Sequence, residues 1–117
     1  MALMHSLRQA RFRRVDRLRK SKDFQRLSRF GERRRNGPLV VLTAPARTGR
    51  SCLGLTVSRR VGKAVVRNRV KRQIREWFRT SRCCLGEPLD IVVIARPGAG
   101  ELEGLLLRRR LSELFPC

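Results

Sequence analysis

From about Ala64 to Arg79 the apolar residues Val66, Val70, Ile74, Trp77 and Phe78 recur at steps of three and four, the spacing of one helix face packed on a core. The stretch before it, 51–58, alternates instead. Leu53, Leu55 and Val57 point one way and Cys52, Gly54, Thr56 and Ser58 the other, as in a half-buried strand. The apolar runs 39–42 and 89–95 also read as strands, the second an interior one broken only by Asp90. A helix joining 51–58 to 89–95 predicts that these two strands run parallel in one sheet. The short, turn-rich 45–49 predicts that 39–42 and 51–58 pair as an antiparallel hairpin.

The remaining pattern supplies the flanks. A short helix should begin at Lys22, capped by Ser21, with Asp23 in its first turn and Gly31 ending it; Phe24 and Leu27 share a face. Residues 33–38 read as a basic turn. A last helix over about 100–115 carries Leu107, Leu111, Leu114 and Phe115 on one side and Arg108, Arg109 and Arg110 near the other. Residues 1–16 read as a mobile basic arm ahead of a single domain over 17–117. No repeat or second domain is visible.

Charge changes the picture most. The 117 residues hold 29 Lys and Arg against 9 Asp and Glu, a formal charge of +20, yet 41% are apolar. That is enough to fold around, so the expected product is a folded domain that needs a polyanionic partner. The cations are not scattered. On the wheel of the central helix Asn68, Lys71, Arg72, Arg75 and Arg79 lie roughly opposite the apolar stripe, with Arg67 and Arg69 flanking it. From Arg59 to Arg79 the single acid is Glu76. A solvated helix interleaves signs for pairing one turn apart; this one collects one sign, as a phosphate-binding face does.

Several other chemistries are disfavoured. No apolar run approaches the roughly 20 residues of a membrane-spanning helix. Cys52, Cys83, Cys84 and Cys117 have no paired C-x-x-C spacing and the sole histidine is His5, so no zinc site is expected. Free thiols without an export signal point to a reducing cytoplasm. The nine acids form no clustered metal-binding motif, which argues against a self-sufficient nuclease.

The run from Gly54 to Arg72, Gly-Leu-Thr-Val-Ser-Arg-Arg-Val-Gly-Lys-Ala-Val-Val-Arg-Asn-Arg-Val-Lys-Arg, resembles the signature of the protein subunit of bacterial ribonuclease P. Supporting pieces are 17–24 with Gly31, and 89–96. The resemblance implies a single α+β domain, a two-layer sandwich of order α-β-β-β-α-β-α like domain 2 of ribosomal protein S5. It implies an RNA-binding subunit of a ribonucleoprotein endonuclease that removes the 5′ leader from precursor tRNA. The catalytic groups and magnesium would belong to the RNA, with no catalytic residue, metal or cofactor held by the protein alone. The protein would bind the catalytic RNA, one copy per RNA, grip the substrate leader and broaden substrate use. By position, Ser58, Arg59, Arg60 and Lys63 would form the turn into the RNA-binding helix, and Arg67, Asn68, Arg69, Lys71, Arg72 and Arg75 would meet the RNA. Phe24 and Thr56 would belong to the leader cleft. Ser28 and Leu42 depart from the pattern, standing where many relatives carry aromatics.

Overall fold

The computed structural model describes residues 17–18, 20–82 and 85–115. The arm expected over 1–16 lies outside these residues, as do Cys83, Cys84 and Cys117. The elements are α1 (Ser21–Phe30), β1 (Glu32–Asn36), β2 (Leu39–Pro45), β3 (Cys52–Val57), α2 (Ala64–Ser81), β4 (Leu89–Ala95) and α3 (Gly104–Ser112), with 3-10 turns at Arg59–Val61 and Ala99–Glu101. The order is the α-β-β-β-α-β-α that the resemblance implies.

The sheet order is β1-β2-β4-β3, with β3 and β4 parallel and the other pairs antiparallel. The parallel pair is as expected. The hairpin between β2 and β3 is not formed, because β4 lies between them, Val41 opposite Val93 and Leu55 opposite Val93 on its other side. The apolar run Leu-Asp-Ile-Val-Val-Ile-Ala explains this: it is a strand that buries both faces and satisfies both edges, which only a central position allows.

β2 instead pairs with β1, which falls where a basic turn is expected. Only Gly37 and Pro38 make the reversal, Gly37 at φ 62. The strand Glu-Arg-Arg-Arg-Asn hides its period because neither of its faces is apolar. It still alternates: Arg34 and Asn36 are half-buried on the α3 side, where Arg34 donates to Leu114 O and Asn36 Nδ2 to Arg110 O at 2.9 Å. Arg33 and Arg35 are exposed on the opposite face. Charged residues on an edge strand also discourage edge-to-edge pairing with other chains.

One face of the sheet is closed by α2 and α3. Leu39, Val41, Leu53, Ile91 and Val93 meet Val70, Ile74, Trp77, Phe78, Leu107 and Leu111 in one buried cluster. Trp77 satisfies its indole N–H on Ser112 Oγ at 3.1 Å, and its ring lies 5.3 Å from that of Phe115. The C-terminal helix is shorter than expected. Residues 99–101 form a 3-10 turn and Leu102 is extended, so the α-helix starts only at Gly104.

α1 crosses the other face, so helices stand on both sides of the sheet. Its N-cap is Lys20, and Ser21 is the first helical residue without a side-chain cap. Leu27 packs with Leu42, Ala44 and Val92. Leu18, Phe24 and Ile94 pack against that cluster, and ion pairs complete the docking. Arg26 pairs with Asp90, which is 2% exposed, and with Asp23, 4% exposed, at 3.6 Å. Arg47 reaches Asp23 at 3.6 Å, and its backbone N–H donates to Asp90 Oδ2 at 3.3 Å. Asp90, which interrupts an apolar run in the sequence, is thus the sheet's anchor for α1. Among the described residues no helix is long and apolar enough to cross a membrane.

Candidate nucleic-acid interface

The chain enters α2 through a tight turn. Ser58 N–H donates to Ala95 O at 3.2 Å, tying the end of β3 to the end of β4, and Ser58 Oγ accepts from Arg60 N–H at 3.2 Å. Gly62, at φ 154, then turns the backbone in a conformation that side chains rarely adopt. Ser58 therefore shapes the turn, while Arg59, Arg60 and Lys63 are exposed around the helix N-terminus. Backbone N–H groups and clustered cations together favour phosphate there.

Along α2 the expected apolar stripe is buried at Val70, Ile74, Trp77 and Phe78, with Val66 half-buried. The flank roughly opposite that stripe carries Asn68 and Arg72, exposed, and Lys71, Arg75 and Arg79, half-buried. An open concavity of about 420 Å³ is lined there by Asn68, Arg72, Arg75, Glu76 and Arg79. Its one acid is already matched: Arg79 Nε donates to Glu76 Oε2 at 3.1 Å. That hydrogen bond, with the charges of Arg79 and Arg108, holds the Glu76 carboxyl below its usual range against a smaller opposing effect of burial. Burial first, and then the Arg17 charge, push the Arg75 guanidinium down from its ordinary value. Arg17 is held nearby by its bridge to Leu53. Like charges near one another in this way favour an anion beside them.

The Arg-Asn-Arg triplet does not act as one patch. At about 100° per residue, Arg67 and Arg69 point some 200° apart. Asn68 faces the cationic flank. Arg67 lies close to the core stripe, and its Nε is buried without a hydrogen-bond partner among the described residues. Arg69 turns toward the connection between β4 and α3, where its guanidinium donates to Gly100 O in the 3-10 turn. The wheel places both arginines beside the stripe, but it gives no hint that Gly100 waits for one of them.

On the opposite face, Gly54 and Phe24 meet as closely as a missing side chain permits. A Cβ at Gly54 would sit 2.8 Å from Phe24 Cζ and 3.2 Å from Leu18 Cβ. Phe24 is half-buried, so one part of its ring packs on β3 and another remains accessible. Thr56, two residues along β3, is exposed on the same side. The floor beside α1 thus combines an aromatic, a hydroxyl, half-buried Ile94, and Arg33 and Arg35 at the β1 border. Ser28 adds no aromatic to it, and Phe30 is 80% exposed at the end of α1. Leu42 is buried beneath α1 with Leu27. Among the described residues no three of His, Cys, Asp and Glu gather closely enough to hold a metal ion.

Fold and surface together define a small α+β domain with a cationic concavity along one flank of its central helix. The ribonuclease P family profile matches residues 12–117, and the chain belongs to that family. It is 44% identical over 107 residues to the ribonuclease P protein component of Syntrophobacter fumaroxidans, covering 91% of this chain and 90% of that one. It is 38% identical to the ribonuclease P protein component of Bacillus velezensis, covering 86% of each. The solved RNase P protein of Staphylococcus aureus superimposes with a TM-score of 0.78 at 35% identity, covering 85% of this chain and 91% of that one. The RNase P protein of Thermotoga maritima superimposes with a TM-score of 0.75, also at 35% identity, covering 85% and 94%.

Proposed function

We propose that this chain is the protein component of ribonuclease P, the ribonucleoprotein endonuclease that removes the 5′ leader from precursor tRNA. The observation that carries this reading is the cationic flank of α2, whose only acid is already paired, within a chain matched to the family over 12–117. The catalytic RNA docks on Arg59, Arg60 and Lys63 and on Asn68, Lys71, Arg72 and Arg75. The leader lies on the floor formed by Phe24 and Thr56. Catalysis belongs to the RNA and its magnesium, and the protein works in the cytoplasm, one copy per RNA.

Charge accounts for the protein's part. Two phosphate-rich RNAs repel each other, and the repulsion is screened either by salt and magnesium or by a fixed +20 protein. Selectivity for precursor over mature tRNA must come from the leader, which the product lacks. The test compares cleavage by RNA alone, protein alone and both, across magnesium concentrations, with mature tRNA as competitor. The combination should cleave at lower magnesium than the RNA alone. Robust cleavage by RNA-free protein, or an unchanged magnesium requirement, would overturn the reading.

A further inference from the structure

Arg69 sits in the triplet that the resemblance assigns to RNA contact, yet its guanidinium is turned onto the carbonyl of Gly100 in the β4–α3 connection. Gly100 in turn presses on the turn that precedes α2. A Cβ there would lie 2.7 Å from Val61 O and 2.7 Å from Val66 Cγ1, so the two backbones touch with no room for a side chain. Val61 closes the 3-10 turn that carries Arg59 and Arg60, its N–H donating to Ser58 O at 3.0 Å. Ala99, beside Gly100, is fully buried and anchors the connection in the core.

We propose that Arg69 is a positioning residue, which clamps Gly100 against Val61 and so holds Arg59 and Arg60 in the geometry that RNA requires. It acts through the turn rather than by meeting phosphate. This rests on the reading of α2 and its preceding turn as the RNA interface. The physical gain is preorganisation: two long cationic side chains on a fixed turn lose less freedom on binding than the same side chains on a loose one.

Two properties separate a clamp from a contact. A phosphate contact releases counterions, so its loss flattens the dependence of log K on log salt by about one unit; loss of a clamp leaves that slope in place. A clamp also loses its value once the groups it positions are gone. The test titrates in vitro transcribed ribonuclease P RNA with full-length protein over a salt series. Arg69→Gln should weaken binding about fivefold with the slope of the parent protein, whereas Arg72→Gln should flatten it. In a background of Arg59→Gln and Arg60→Gln, Arg69→Gln should cost less than about twofold. Gly100→Ala, which forces Val61 away without touching any charge, should reproduce the Arg69→Gln phenotype. A slope change equal to that of Arg72→Gln, or full additivity with the double variant, would overturn the clamp. Failure of the parent protein to bind the RNA would overturn the underlying reading as well.

Discussion

The two faces of the sheet are closed by different physics. On the face of α2 and α3, thirteen of the described residues, all apolar, form one buried cluster fed by β2, β3 and β4, while β1 holds the helical layer through Arg34 and Asn36 instead. Among the described residues, the buried apolar cluster on the face of α1 is the smaller set Leu27, Leu42, Ala44 and Val92, with Leu18, Phe24 and Ile94 packed against it, and the buried carboxylates Asp23 and Asp90 hold Arg26 and Arg47 over the sheet. Apolar burial is non-directional and fills a whole face, whereas an ion pair pins a helix at one place. The first arrangement makes a rigid base for the cationic flank of α2. The second leaves part of the sheet uncovered beside α1, with Phe24, Thr56, Arg33 and Arg35 around it.

The largest effect is expected from Trp77→Ala. It removes a side chain buried to 2% exposure and orphans the Ser112 hydroxyl contact, which should cost about 3–5 kcal/mol in urea denaturation. A loss under about 1 kcal/mol would mean that the closed face is not the stabilising one.

Next comes Arg26→Ala, which strips Asp90 and Asp23 of a shared cation. Leaving two buried carboxylates with less compensation should cost about 2–4 kcal/mol. The loss should be local. In native-state amide exchange, Leu27 should open far more readily than in the parent protein while Ile74 keeps its protection. Equal loss at both would show that the two faces unfold as one unit and dissolve the comparison.

A smaller change tests what the uncovered floor is for. Phe24→Leu keeps apolar volume against Gly54 but removes the aromatic face. If the floor takes a nucleobase, affinity of the holoenzyme for precursor with a long leader should fall by about 1 kcal/mol, while precursor with a very short leader binds as before. Equal losses for both precursors would assign Phe24 to packing alone.

The smallest effect belongs to Glu76, on the outer side of the closed face's own helix. Its folded-state carboxyl is lowered chiefly by the hydrogen bond from Arg79, so the pair's contribution is present above the unfolded value and is lost as pH falls through the lowered one. Glu76→Gln should therefore lower stability at neutral pH by no more than about 0.5 kcal/mol and remove that small acid-side loss. By raising the charge of the flank, it should tighten RNA binding slightly. A large change in melting temperature would reveal a role for this pair beyond the helix surface.

Much of this is legible along the chain because it rests on local repetition. The stripe Val70, Ile74, Trp77 and Phe78 defines α2 and its buried side, and the same phase puts Lys71, Arg72 and Arg75 outward. The alternation of Leu53, Leu55 and Val57 separates the helix-facing side of β3 from the side where Gly54 meets Phe24. β1 is not legible, because its alternation is among arginines and an asparagine whose burial depends on α3 packing above them. The order of the strands is not legible either, since β4 is inserted between β2 and β3 from more than thirty residues downstream.

By itself the sequence determined the helix, its two flanks, the strand-facing pattern of β3 and the need for a polyanion, since periodicity and net charge are properties of neighbours along a chain. Only the tertiary structure decided that Asp90 would hold α1, that Arg67 Nε would be buried beside the core stripe, and that Arg69 would find Gly100. Those outcomes turn on which distant carbonyl or carboxylate arrives within hydrogen-bond reach, and folding in three dimensions sets that distance.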